Sequence, residues 1–337
     1  LPEKFVFLGC GRAKSFKSKN SRVVGAKLYN SVHAAKCKHL NLIFNKSLLE
    51  FLEEFLQGFL LKQYKFDYFK TKPKKSSDSG IELLELIAEK NFHSQIESKL
   101  KRAQVISKAV EFVKFLVNSP SNVVHGQYLA DEAKKIAREN GYKLAVLGKK
   151  ELTKLGCGGI LSVNQGSINE PKLIVLQYEG AKNRKEKPII IVGKGVIFDT
   201  GGYNLKPTNN IETMHQDMAG AASVIGLFSI LKKLGIQKNV IGITPIAENL
   251  VSASAFRPSD IIKMFNGKTV EITNTDAEGR LILADAITYA TKFNPESIVT
   301  IATLTGAVSV ALGDRYAGLI GNNIRLRNKL QKAGKQV

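Results

Sequence analysis

Four carboxylates, Asp199, Asp217, Asp276 and Glu278, fall in or beside short polar segments that also hold Lys194, Lys206 and Arg280. The chain as a whole is strongly basic, so a local concentration of acids needs a reason. Packed together without a cation, four carboxylates repel one another and some of their pKa values rise. A pair of divalent ions ~3.5–4 Å apart removes that conflict, because carboxylates can bridge two cations and the cations can activate water for hydrolysis. Asp276 and Glu278 stand at i and i+2, which in extended backbone sends both side chains to one side. The spacing therefore predicts a ligating loop there rather than a helix. A lysine beside such ions can ligate as the neutral amine, or stay charged and stabilise an oxyanion. Arg280, always protonated, can grip a carboxylate-like anion through two parallel hydrogen bonds. The plain alternative for all three cations is a salt bridge to the local acids.

These residues need elements to position them, and the pattern supplies a strand-then-helix rhythm. Lys143–Leu147, Lys172–Tyr178, Pro188–Val192, Asn239–Ile246, Thr269–Thr273 and Ile298–Ala302 read as buried or half-buried strands. Asp131–Asn140, Gly220–Leu234 and Leu281–Lys292 read as helices between some of them. Such alternation predicts an α/β domain with a mixed, largely parallel sheet flanked by helices. Ligands in such folds bind beyond the carboxyl ends of strands. Four predicted strands run into polar or glycine-rich segments: GKGVIFDTGG (193–202), AEN (247–249), NTDAEGR (274–280) and TLTG (303–306). Earlier in the chain, Lys4–Leu8 and Leu40–Phe44 read as strands and Ser47–Leu61 as an amphipathic helix, a smaller N-terminal α/β domain over residues 1–80. KTKPKKSSDSG (70–80) reads as an exposed linker, and Ile81–Val117 as a long helix that NSPSN (118–122) ends, making 81–122 a connecting helix and 123–337 a catalytic domain.

At 337 residues and 44% hydrophobic composition the chain can bury two cores. Ile298–Gly313 is too short and too rich in threonine for a membrane span of ~20 apolar residues, and reads as buried strand and loop. The opening residues lack a signal-peptide pattern, which predicts a soluble cytoplasmic protein without membrane contact. Cys10, Cys37 and Cys157 have no metal-ligand spacing and read as buried, reduced thiols. Net charge is +21, and residues 1–45 hold nine Lys/Arg against Glu3 alone. Leu1 in place of an initiator Met reads as numbering that begins inside a longer gene product or after processing.

NTDAEGR at 274–280, GKGVIFDTGGYNLKP at 193–207 and QDMAGAA at 216–222 resemble, in order and separation, the leucyl aminopeptidase (cytosol aminopeptidase) family. Weaker matches run through GFLLKQYKFDYFK (58–70), NSPSN, VNQGS (163–167), TLTGA and GDRYAGLIGNN, so nearly the whole chain is covered. The resemblance implies one metal held by Asp199, Asp276 and Glu278, and its neighbour by Lys194, Asp199, Asp217 and Glu278. It implies that Lys206 binds the scissile carbonyl oxygen and that Arg280 holds a bicarbonate acting as general base. Met214, Asn274, Thr303, Leu304 and Gly306 would line the substrate pocket. Two divalent ions (Mn²⁺ or Zn²⁺, or Mg²⁺), peptide substrates with a free N-terminus, preference for leucine or similar apolar residues, and assembly as a homohexamer follow from the same resemblance. Thr200, Tyr203 and Asn204 depart from the family's usual residues, and the family's catalytic domain continues past Val337.

Other chemistries find less support. LGCGR (8–12) lacks the third glycine and acidic partner of a dinucleotide site, and GKG (193–195) lacks the phosphate-loop frame. HEXXH and GxSxG are absent, and His33, His39, His93, His125 and His215 show no ligand spacing. The alternative of another class is a nucleic-acid-binding or assembly protein on the aminopeptidase fold, with the basic N-terminal segment as its handle. The intact ligand set ranks catalysis first.

Overall fold

The computed structural model describes residues 6, 7, 9–12, 16–43, 46–71 and 81–337. The chain divides into two compact units, Leu1–Glu111 with Val308–Val337, and Phe112–Ala307.

In the first unit, helix α1 (Ser18–Ala34) precedes strand β1 (His39–Ile43), helices α2 (Lys46–Leu49) and α3 (Leu52–Lys62), and strand β2 (Leu83–Ile87), which pairs in parallel with β1. Leu28, Tyr29 and Val32 of α1 recur at helical spacing and bury against Phe59 of α3. The two helices cross closely because Gly25 and Gly58 lack side chains: a Cβ at either would lie about 2 Å from a carbonyl oxygen of the other helix, 2.0 Å at Gly25 and 1.9 Å at Gly58. Helix α4 (His93–Asn118) follows.

Three expectations are corrected here. The helix expected over Ile81–Val117 begins only near His93, because LLELI alternates and finds a partner in β1, and strand pairing overrides local helical preference. The single helix expected at Ser47–Leu61 is two, broken at Phe51 (φ −98°, ψ 7°), and the bend brings Leu49 and Leu52 into one cluster with Leu56 and Ile96. Of the cysteines, Cys157 is buried, while Cys10 is exposed and Cys37 half-buried. Most of the strand expected at Lys4–Leu8 and most of the 70–80 linker lie outside the described residues, and α1 is an element the sequence reading did not contain.

The second unit is built on a sheet of order β10-β5-β7-β4-β3, with β6 also paired to β7. Its elements are α5 (Gly126–Asn140), β3 (Lys143–Leu147), α6 (Lys149–Leu155), α7 (Gly158–Val163), β4 (Lys172–Glu179), β5 (Ile189–Gly193), β6 (Gly195–Asp199), α8 (Thr208–Ile211), α9 (Ala219–Phe228), β7 (Asn239–Asn249), a hairpin β8 (Ile261–Lys263) and β9 (Thr269–Glu271), α10 (Glu278–Thr291) and β10 (Ser297–Ile301). β10, β5, β7 and β6 run parallel, β4 runs antiparallel to β7, and the edge strand β3 is antiparallel to β4 and so runs in the direction of β7. Side chains alternate across the sheet. Leu173, Val175, Ile190, Val192 and Ile243 enter the core shared with α7 and α10, and Ile174, Leu176, Val240 and Ile246 enter the core shared with α5 and α9. Burial on both faces explains why β7, eleven residues long, is buried throughout.

Two further corrections concern strands. Thr269–Thr273 does hold a half-buried strand, β9, but not one of the main sheet: Asn266-Gly267, with Gly267 at φ +84°, turns β8 into β9 as a small separate hairpin. Ile298–Gly313 is not a buried strand and loop. β10 is an edge strand with Ile301 40% exposed, and Ala307–Leu312 is a helix, α11, whose Val310 is 90% exposed. The last helix is α12 (Ile324–Gly334). No helix of the described residues is long and apolar enough to cross a membrane.

Candidate metal centre

The four parallel strands deliver their carboxyl ends to one place. β5 leads into Lys194, β6 ends on Asp199, β7 ends on Asn249, and the loop after β10 brings Thr303. The backbone locks these ends together: Lys194 N–H donates to Ile301 O (2.9 Å) and Thr200 N–H to Asn249 O (2.9 Å).

Lys194 is almost wholly buried. Its Nζ lies 2.7 Å from Asp217 Oδ2 and 2.8 Å from Glu278 Oε1, and donates to Thr303 O at 3.0 Å. Lys206 Nζ lies 2.9 Å from Asp199 Oδ2 and 2.5 Å from Asp276 Oδ1. Asp199 Oδ1 accepts from Gly201 N–H (2.9 Å) and from the Asn249 amide (2.8 Å). Thr303 Oγ1 donates to Asp217 Oδ1 at 2.8 Å. Carboxylate oxygens of Asp199, Asp276 and Glu278 all lie within 4.8 Å of one another, a separation that one cation could span.

The expected extended loop at Asp276 and Glu278 is corrected. Thr275–Ala277 is a 3₁₀ turn, capped by Asn274 Oδ1 accepting from Asp276 N–H at 2.7 Å, and Glu278 opens α10. The two acids still converge with Asp199, because helical side chains lean toward the N-terminus. Gly279 makes room at the same turn: a Cβ there would stand 2.6 Å from Lys194 Cε and 2.9 Å from its Nζ.

The electrostatics are those of a centre short of positive charge. Asp199, Asp217 and Glu278 are buried, and with Asp276 they pair, among the described residues, with Lys194 and Lys206 alone, so that four ionised carboxylates would outnumber the cations by two. Burial pushes the Asp217 carboxyl up to about 6, against the pull of Lys194. Burial likewise raises Glu278 to about 7, with Asp199 and Asp217 adding to the rise and Lys194 opposing it. For Lys194 burial acts downward, but the Glu278 and Asp217 charges outweigh it and the pKa rises; the same balance, with Asp276 and Asp199 as partners, raises Lys206. Both lysines are therefore ammonium ions in this arrangement and occupy the cationic places of the cluster. Glu278 Oε2 is buried with no hydrogen-bond partner, and Asp217 Oδ2 has the ion pair with Lys194 but no aligned hydrogen bond. Buried oxygens are seldom left so. Oxygen-rich ligands with orphaned, buried lone pairs fit a hard or borderline divalent cation.

A family profile described as "Cytosol aminopeptidase family, catalytic domain" matches residues 111–337, and the family's N-terminal domain profile matches residues 1–73. The chain belongs to the cytosol aminopeptidase family. Among curated relatives of this cytosol aminopeptidase family member, a protein of Pseudomonas aeruginosa named "Cytosol aminopeptidase" is 47% identical over 272 residues, covering 80% of this chain and 54% of the relative. "Probable cytosol aminopeptidase" proteins of Rickettsia bellii and Exiguobacterium sibiricum are each 38% identical and cover 98% and 99% of this chain, and 67% and 68% of their own lengths. The chain thus spans about half to two thirds of the relatives it matches.

The other residues singled out by sequence are placed as follows. Arg280 is exposed in the first turn of α10 and makes no ion pair among the described residues, so the salt-bridge alternative holds for Lys194 and Lys206 but not for Arg280. Met214 is half-buried in a 3₁₀ turn three residues before Asp217, Asn274 serves as the turn cap, and Thr303 touches Asp217 directly. Leu304 and Gly306 are exposed. Sequence reasoning did not single out Asn249, Thr275 or Gly279. Only the AEN segment at a strand end pointed toward the first.

Proposed function

We propose that this chain carries the active centre of a metal-dependent aminopeptidase that removes N-terminal residues, preferably leucine or similar apolar ones, from peptides. The observation that carries this reading is the convergence of Asp199, Asp276 and Glu278 within 4.8 Å, beside the buried Lys194–Asp217 pair, in a member of this family. Asp199, Asp276 and Glu278 would hold one ion, and Lys194, Asp199, Asp217 and Glu278 the other, with Lys194 giving up its proton to ligate as the neutral amine once a divalent cation takes the place of its ammonium charge. Mn²⁺, Zn²⁺ or Mg²⁺ bound there would supply Lewis-acid activation of water and of the scissile carbonyl.

The chain's own residues account for the rest. Lys206 stays protonated beside Asp199 and Asp276, so its ammonium is available to hydrogen-bond the carbonyl oxygen as negative charge develops on it. Arg280, exposed and without an ion pair among the described residues, would hold bicarbonate through two parallel hydrogen bonds, as a general base for the attacking water. Met214, Asn274, Thr303, Leu304 and Gly306 would contact the substrate side chain. We read 1–80 as the N-terminal domain, 81–122 as the connection and 123–337 as catalytic, in a cytoplasmic homohexamer. The test is hydrolysis of leucine amide after loading with Mn²⁺, alongside metal analysis. Two ions per chain and turnover that chelator abolishes are expected; a folded protein that binds no metal would overturn the reading.

A further inference from the structure

Asn249 is the last residue of β7 and is fully buried. Its side-chain amide donates to Asp199 Oδ1 at 2.8 Å and to the Thr275 carbonyl at 3.0 Å. Both partners are acceptors, so the amide can only be oriented with nitrogen toward them. One NH₂ group thereby bridges the end of β6 and the 3₁₀ turn that presents Asp276 and Glu278. It also fixes which oxygen of Asp199 faces the centre. Oδ1 is taken by Asn249 and Gly201, and Oδ2 is turned to Lys206.

The same turn is held from its other side. Thr275 N–H donates to Asn204 Oδ1 (2.8 Å), Asn204 N–H donates to Thr275 Oγ1 (2.9 Å), and that hydroxyl donates to Gly201 O (2.6 Å). Asn204 lies two residues before Lys206 and is exposed. Gly201 and Gly202 sit at φ +85° and +65° between Asp199 and Asn204, a backbone path that favours glycine and lets the loop fold back onto Thr275.

We propose that Asn249 and Asn204 are positioning residues that brace the Thr275 turn from both sides and set the span between Asp199 and the Asp276–Glu278 pair, so that the ligands are preorganised for metal. The proposal rests on the metallopeptidase reading above. Hydrogen bonds to ligating carboxylates orient them, and losing such a partner typically lowers metal affinity about 10–100-fold. Neither asparagine is itself a proposed ligand, so their loss acts through geometry.

The test measures Mn²⁺ affinity by chelator competition, Mn²⁺ stoichiometry at saturation, and Tm with and without Mn²⁺, for wild type, Asn249→Ala and Asn204→Ala. The expected result is two ions per chain in all three, affinity reduced about 10–100-fold in the variants, and a smaller Mn²⁺-induced rise in Tm at subsaturating metal. A purely structural role would lower Tm equally with and without metal and leave affinity at the wild-type value. That outcome overturns the brace. Asn204 is exposed, so Asn204→Ala decides the matter should Asn249→Ala not fold. Wild-type protein that binds no Mn²⁺ would overturn the functional reading and the brace with it, whereas unchanged affinity in folded variants of a metal-binding wild type overturns the brace alone.

Discussion

Placing a methyl group at Gly279 tests the tightest contact in the centre. A Cβ there would lie 2.6 Å from Lys194 Cε, 2.9 Å from Nζ and 3.1 Å from Cδ, all inside contact distance. An exposed lysine would swing aside at little cost. Lys194 is 3% exposed at its side chain and is fastened to Asp217, Glu278 and the Thr303 carbonyl, so retreat strands two buried carboxylates. Breaking a buried pair in this way costs about 3–5 kcal/mol. Alanine in an unobstructed helix would instead gain up to about 1 kcal/mol over glycine. The expected net effect of Gly279→Ala in chelated protein is therefore a loss of about 2–4 kcal/mol, read as a lower urea midpoint at constant slope. In a Lys194→Ala background the obstruction is gone and the same substitution should become neutral or stabilising, a non-additivity that a double-mutant cycle measures. Gly279→Ala at least as stable as wild type in the intact protein would refute the reasoning.

Other outcomes follow from the same geometry. Asp217 and Glu278 have folded pKa values of about 6 and about 7, above their ordinary values of 3.8 and 4.5; the stability they contribute is present below the ordinary values and lost as pH rises through 6 to 7. Chelated protein should accordingly melt higher at pH 5 than at pH 8, and Mn²⁺ should raise Tm more at pH 8, because ligands must be deprotonated. Asp285, buried in α10, accepts from Ile160 N–H (3.0 Å) and Phe265 N–H (2.9 Å). Asp285→Ala strands these donors and should destabilise by about 1–3 kcal/mol in denaturant titration. The Cys157 thiol is pushed up to about 12 by burial, so a thiol reagent at pH 8 should modify exposed Cys10 in the native protein and Cys157 only on unfolding.

How much of this was legible in the sequence depended on what decided each element. The sheet strands at 172–178 and 239–246 are apolar enough to be buried on both faces, the half-exposed edge strand at 143–147 is set off by turn residues on either side, and the positions of all three agree with the observed strands within a residue or a few. LLELI at 83–87 was opaque because its pattern suits helix or strand, and the parallel partner that decides between them lies over forty residues away at His39–Ile43. The break at Phe51 was invisible for a similar reason, since a continuous apolar periodicity hides a bend that serves packing. Ile298–Gly313 misled because apolar content predicts burial only where another element covers it, and β10 has a neighbour on one side alone.

The centre itself divides along a different line. Carboxylates and lysines announce themselves, since acids recurring at strand ends in a chain of net charge +21 ask for a cation. The residues that make the cluster a site are chemically quiet. Asn249 has no charge, yet its amide holds Asp199 against the Thr275 turn. Gly279 contributes only the absence of a side chain, yet that absence is what allows Lys194 to reach Glu278. Such roles depend on the distance between segments far apart in sequence, a quantity that spacing along the chain does not contain. Because the negative charge of the four acids exceeds the positive charge of the two lysines, the fold must commit hydrogen bonds and close packing to holding like charges together. Strain of that kind is tolerated at functional sites, and a divalent cation that enters this frame gains from ligands whose repulsion the rest of the unit has already overcome.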